Sequence, residues 1–587
     1  MFRAFRVLPT SLLLVFAVFA NPAWATPQEA PTRLVWHQLG ELPVDAAAGP
    51  DEAHIKRRAL LDFDLEVLAR PIGKRVVDLE LFDGKLLSVE LTARGSARPG
   101  SARWFGSWDE GRSSLTIAVQ GDALAATLRD GDDLYRVLPV GAGRSRLELT
   151  GEFQLPGCEV HTAPGEGPGA NAAEDGAGEQ RRPQAGSSST PIPIMSTFSS
   201  IDVLVAYTPQ VKDASGGTNG TLALIDLAMS ETNESYLNSG AGCVVRLVHT
   251  HEVSYTESGN NSTDLTRLWL PNDGFMDEVH DLRTQFGADA VSLLINSGNN
   301  CGSGFLMTVV SSAFQANAFS VTQRVCATGN LTFGHELGHN FGCAHNREDA
   351  TVSSKPYAFG YRSPGNQFRT VMALAPGQRV PVFSSPNAQW DGVTMGTPTE
   401  DNSRALTENG PTIAGWAPTQ IPIIDCNGNG VDDSLEISIG LSPDQDGDGV
   451  PDDCLNFFGD ITQVSLIDGG VQNLFIQAGD DHAGETFVML GSLSGTSPGV
   501  PFGDLTVPLV VDAYTTSLLA APSGSLLSPV IGVLDADGKG GSSFTVPGSI
   551  LPLSLLATPV NHTFLTLTAS GEPGIVGAPV QLLFTFL

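Results

Sequence analysis

The chain has 587 residues, more than one hydrophobic core organises, and 41% of them are apolar, enough to fold most of that length. With 32 Lys and Arg against 64 Asp and Glu, the formal net charge is −32, which opposes binding to nucleic acid or to an anionic membrane surface. The 65 glycines and 38 prolines favour turn-rich β domains over helical bundles.

In chain order, Arg3 and Arg6 precede an apolar run from Leu12 to Ala20, and Ala23-Trp24-Ala25 follows as a small-x-small site. That pattern predicts a signal peptide over 1–25 and a secreted protein. The run is short for a spanning helix and no later segment is longer, so no membrane span is expected. Residues 26–162 alternate apolar and polar, as in Val76-Val77-Asp78-Leu79-Glu80-Leu81, which predicts a β-rich domain. Residues 163–198 turn to Gly, Ala, Pro, Ser and Glu, the composition of a flexible linker, with Arg181-Arg182 as a cleavage point.

A denser segment runs from 199 to 418. Ile201 to Ala206, Val244 to Val248 and Ala290 to Ile295 read as strands. Between them, Ile225, Met229, Thr232 and Tyr236, and then Phe275, Val279, Leu282 and Phe286, recur at helical spacing. Strands alternating with helices predict an α/β domain on a largely parallel sheet. Residues 425–454 are an Asp/Asn/Gly segment, and 455–587 read as a C-terminal β-sandwich.

The string His335-Glu336-Leu337-Gly338-His339-Asn340-Phe341-Gly342-Cys343-Ala344-His345 carries the chemistry. On a helix, His335 and His339 lie one turn apart on one face, so both imidazoles reach one ion. Glu336 sits beside them without being a ligand. Gly342 lets the chain leave the helix through a conformation that a side chain disfavours, bringing back His345 as a third ligand. Three neutral histidines leave zinc one position open for a water, whose pKa the ion lowers.

This string resembles the extended zinc signature of the metzincin metallopeptidases. The resemblance implies a methionine turn beneath the metal, for which Met372 in Arg369-Thr370-Val371-Met372-Ala373-Leu374 is the candidate. It also implies that Arg379 to Pro386 form the wall of the pocket beyond the scissile bond, as in reprolysin-like relatives. Ile201 to Pro209 and Asp273-Gly274-Phe275-Met276-Asp277 are similar to bacterial peptidyl-Asp metalloendopeptidases. The resemblance implies a secreted zinc metalloendopeptidase acting on proteins or peptides through zinc-activated water, with Glu336 as general base. The fold implied is multidomain: an α/β metzincin-type protease domain between an N-terminal β propeptide domain and a C-terminal β-sandwich. The competing reading is an exported binding or adhesive protein on a protease-like scaffold.

Asp425 to Glu436 matches the spacing of an EF-hand loop, with calcium ligands Asp425, Asn427, Asn429, Asp433 and Glu436 and Gly430 at the sharp turn. A second copy offers Asp444, Asp446, Asp448 and Asp452. It has Leu455 where a bidentate Glu belongs, and its spacing resembles dockerin or thrombospondin type 3 repeats. Seven cysteines in an exported chain predict disulfides with one left over. The expected pairs are Cys301–Cys326 and Cys426–Cys454, with Cys243–Cys343 as a further option. Cys158 is then a cysteine switch filling zinc's fourth position, an inert buried thiol, or a partner of Cys243 or Cys343.

Overall fold

The computed structural model describes residues 33–44, 54–68, 74–95, 98, 100–151, 158–162, 198–426, 429–444, 449–451, 454, 456–503, 505–522, 526–549 and 551–586. The expected signal peptide, the linker up to residue 197 with Arg181-Arg182, and Asn427, Asp446, Asp448 and Asp452 lie outside these residues.

The N-terminal region forms β1 (Arg33–Leu42), β2 (Ile55–Phe63), β3 (Lys74–Glu80), β4 (Leu86–Ala93), β5 (Ser101–Trp108), β6 (Ser113–Gln120), β7 (Ala123–Asp130), β8 (Asp133–Gly141) and β9 (Arg144–Thr150). Neighbours pair antiparallel, and a parallel pairing of β1 with β3 closes the sheet into a barrel. The alternation seen in the sequence sets which side chains fill it. Val77 and Leu79 are buried in β3, while Val76, on the opposite face, is 48% exposed. Trp36, Leu61, Trp104 and Val137 occupy the core. Every residue of β6 is buried, because one face lines the barrel and the other packs on the next domain.

That domain is a six-stranded sheet built on β11 (Ser199–Tyr207), β12 (Cys243–Glu252), β13 (Ala290–Ile295), β14 (Gly302–Leu306) and β15 (Phe319–Gln323). The sixth strand is β10 (Glu159–Thr162), contributed from the barrel side of the chain. β11, β12, β13 and β15 are parallel, and β14 runs antiparallel to β15. Helix α1 (Thr218–Ser239) ends at Gly240 in the left-handed conformation. Two shorter helices, α2 (Asn261–Trp269) and α3 (Glu278–Phe286), precede β13. Phe275, expected at the start of α3, lies before it and is 39% exposed. Helix α4 (Thr332–Asn340) is buried along its whole length, against β14 and β15.

One face of α1 is covered by the barrel. Ala118, Ala123 and Ala125 pack on Ala223 and Leu227, small residues that let strand and helix approach. Around them the contact is ionic. Arg98 and Arg103 meet the buried Asp226 at 2.7 and 3.2 Å, and Thr116 donates to Glu234 at 3.2 Å. Arg129 donates to the Gly329 carbonyl at 2.8 Å, while the Gly329 N–H is held by Glu231.

Beyond the α/β domain, helix α5 (Asp433–Ile439) follows the acidic segment. The C-terminal strands share one core containing Phe457, Met489, Phe564 and Leu582. Gly469–Gln477 pairs antiparallel with Lys539–Pro547, and Thr486–Ser492 with Pro559–Leu567. No helix among the described residues is long and apolar enough to cross a membrane.

Cys301–Cys326 and Cys426–Cys454 are disulfides. Cys243 and Cys343 are not. Both are buried free thiols within the main α/β core, where they pack as small apolar side chains.

Candidate metal centre and acidic loops

Helix α4 places His335 and His339 on one face, and at Gly342 the backbone turns through φ +94°. A Cβ there would lie 2.5 Å from Ser354 Oγ, so the exit also needs glycine for space. His345 returns to the pair. The three Nε2 atoms lie 3.2, 3.3 and 3.1 Å apart. Such spacing is close to the ~3.3 Å edge of a tetrahedron drawn around zinc with Zn–N near 2.0–2.1 Å, so the set fits that ion.

The other ring nitrogens are committed to carbonyls. His335 Nδ1 donates to Val371 O at 2.7 Å and His339 Nδ1 to Cys343 O at 2.8 Å, which leaves Nε2 of each as the free lone pair. Burial, aided by the neighbouring imidazoles and Arg379, holds His335 and His339 well below the usual histidine range. Burial likewise brings His345 down to about 4. All three are therefore neutral at pH 7, the form that ligates.

Glu336 is fully buried, and the polar group that faces its carboxylate is the Cys158 thiol. Burial raises its carboxyl well above the usual range. Its space is made by the edge strand: a Cβ at Gly302 would sit 2.3 Å from Glu336 Oε1, and one at Gly304 3.2 Å from Oε2. Met372 lies under the helix, fully buried, and a Cβ on Gly338 would come within 2.5 Å of its sulfur. Asn340 ties α4 to the sheet by donating to Phe305 O and Phe319 O at 2.9 and 3.1 Å. Gly302, Gly304 and Asn340 escape a motif search because their task is set by neighbours distant in the chain.

Cys158 is a free thiol, bonded to neither Cys243 nor Cys343. Its sulfur stands 3.0, 3.1 and 2.9 Å from Nε2 of His335, His339 and His345. The segment after it, β10, pairs parallel with β14, setting Glu159 against Ser303 and Val160 against Gly304. The thiol is pushed well above its ordinary range by burial first and by the Glu336 charge second.

Of the acidic loop, the described positions gather round one turn. Asp425 accepts from the N–H groups of Asn429 and Gly430 at 3.1 and 2.9 Å, with Gly430 at φ +89°. Asn429 donates to the fully buried Glu436, and Asp433 accepts from Cys426 N at 3.0 Å. The second copy repeats the first contact: Asp444 accepts from Gly449 N at 3.1 Å, and Gly449 is also at φ +89°.

A set of three neutral imidazoles beside a buried carboxylate is the equipment of a zinc-dependent peptidase, and comparison with known proteins agrees. The model of metallo-peptidase family M12B, reprolysin-like, matches residues 197–398. The peptidyl-Asp metalloendopeptidase of Xanthomonas campestris pv. campestris is 31% identical over 363 residues, which cover 59% of this chain and 82% of that protein. Proteins of the same name from two strains of Stenotrophomonas maltophilia are 31% and 32% identical, covering 86% and 88% of their own lengths. The chain belongs to this reprolysin-like metallopeptidase family.

Proposed function

We propose that the chain is the precursor of a secreted zinc metalloendopeptidase in which His335, His339 and His345 hold the metal and Glu336 is the general base. The observation that carries this is the convergence of the three Nε2 atoms beside a fully buried carboxylate. Bound zinc supplies a Lewis acid that polarises the scissile carbonyl and acidifies water. Glu336 takes the proton from the attacking water and delivers it to the leaving nitrogen. Its raised affinity for protons, from burial, suits a group that must accept one and then give it up. Met372 supports the helix from below.

Residues 26–162 are the propeptide domain, 163–198 the linker that is cut, and 199–418 the catalytic domain. Cys158 would join the three histidines in holding zinc in the precursor, and β10 lies along β14. Residues 425–454 hold structural calcium through Asp425, Asn427, Asn429, Asp433 and Glu436, and through Asp444, Asp446, Asp448 and Asp452. The matching Asp–Gly contact in both loops supports treating them as two copies of one unit. Residues 455–587 are an appended β-sandwich. The relatives' name makes aspartate beside the scissile bond the preferred substrate feature.

Glu336→Gln tests the central claim. The variant should bind zinc as the wild type does, and casein hydrolysis should fall by ~10²–10⁴-fold or more. A Gln variant with full activity would remove Glu336 from the mechanism.

A further inference from the structure

Helix α5, beyond the catalytic domain, also touches the barrel, and it does so on a face of its own. Leu435 and Ile439, one turn apart, pack with Val244 of β12 and with Phe198, on the catalytic domain. Ile437 and Gly440, three residues apart on another face, meet the corner that follows β4. Gly95 in that corner is left-handed at φ +63°, and a Cβ there would lie 2.9 Å from Ile437 Cγ2. Across from it, Gly440 ends α5 at φ +71°, and a guanidinium nitrogen of Arg94 stands where a Cβ on Gly440 would be. Each partner offers a glycine to the other's side chain, so the two surfaces interlock.

The contact is buried and of matched sign. Ile437 is 4% exposed. Arg94 is half-buried and held over the Phe105 ring at 4.8 Å, which sets its charge at the end of α5 where the last helix carbonyls carry partial negative charge. A 630 Å³ cavity beside it is lined by Lys74 and Arg94 from the barrel and by Asp444 and Asp460 from the acidic segment and the strands beyond. None of these residues belongs to the metal site or to α1, so this contact is separate from the two by which the barrel meets the catalytic domain.

We propose that α5 is a second docking surface for the N-terminal barrel, and that through it the barrel stays bound, and the enzyme latent, after the linker has been cut. This rests on the reading of residues 26–162 as a propeptide, and it adds where else that propeptide is held. Once the linker is cut, only contacts between surfaces oppose release. Sites at α1 and α5 on one barrel reinforce each other, because a barrel freed from one is still positioned at the other. Charged groups surround both, so salt loosens them. Maturation is then a covalent cut followed by a separate dissociation, and the segment beyond the catalytic domain governs the second step.

The test uses the full-length chain cut at Arg181-Arg182, followed by size-exclusion chromatography and casein hydrolysis. The wild-type fragments should co-elute and stay latent in low salt, then separate with a gain of activity in high salt. In Arg94→Ala the barrel should be retained ~10-fold less tightly. Arg94→Ala and Ile437→Ala together should cost less than the sum of their separate effects, as expected of neighbours in one contact. Hydrogen exchange over residues 435–441 of the wild type should quicken when the barrel is removed, a readout independent of any variant's folding. Retention of the Arg94→Ala barrel as tight as wild type, exchange at 435–441 that ignores the barrel, or wild-type fragments that part in low salt would each overturn the proposal and leave the propeptide reading in place. An uncut wild-type chain as active as the separated enzyme would overturn both.

Discussion

Cys158 shows how a single side chain draws its meaning from its surroundings. A thiol at the end of a β domain has many uses, but this one lies within about hydrogen-bond distance of three imidazoles and has no disulfide. Burial and the Glu336 charge favour the protonated thiol when no cation is present, whereas a bound zinc would favour the thiolate. On the proposed reading, zinc bound there would stabilise the thiolate and the thiolate the metal. Cys158→Ser would weaken such a bond, because a hydroxyl is a far poorer zinc ligand. The uncut Cys158→Ser variant should hydrolyse casein without processing. If it stays fully latent, the thiol is dispensable and β10 blocks the cleft by occupancy alone.

At the scale of elements, the barrel grips α1 through Arg–carboxylate contacts around a patch of small residues. Glu231 lies in that contact, 4% exposed, and burial pushes its carboxyl up to about 7 from the ordinary 4.5. Arg129 and the Gly329 N–H oppose the rise without cancelling it. The folded value is above the unfolded one, so the docked form takes up a proton. Its contribution is fully present below pH 4.5 and is lost as pH rises through 7. The uncut precursor should therefore melt at a lower temperature at pH 7.5 than at pH 5. Subtracting the same difference measured for Glu231→Gln, which cannot ionise, isolates this group, and equal differences in the two proteins would show that Glu231 does not couple to pH.

On the scale of the molecule, the acidic segment joins the catalytic domain to the C-terminal strands. It is tied down at both ends. Phe198 N donates to Asn429 O at 2.9 Å, and Cys426–Cys454 closes the pair of loops. Glu436 is fully buried and accepts from Asn429, and a calcium ion in the loop would be a further partner for it. Titration of the full-length protein with calcium should release heat and raise its melting temperature, and Glu436→Gln should weaken both effects. A protein whose melting temperature is the same in calcium and in chelator has no structural calcium there.

Much of the site was legible because its information is local. Histidines four residues apart share a helix face and a glycine three residues on permits the exit; each pattern spans a turn or two of chain. The alternation of Val76, Val77 and Leu79 likewise fixed which face of β3 is buried. Long-range register is different. Closure of the barrel depends on β1 meeting β3 in parallel, and no pattern in either strand specifies that neighbour. Cys243 and Cys343 could have been a bond by count, yet core packing keeps them as thiols. Gly302 reads as an ordinary glycine until Glu336 is seen filling the space where its side chain would be. The gathering of the three histidines was thus written in spacing along the chain, while the shape of the space around them was decided by which distant strands and turns pack together.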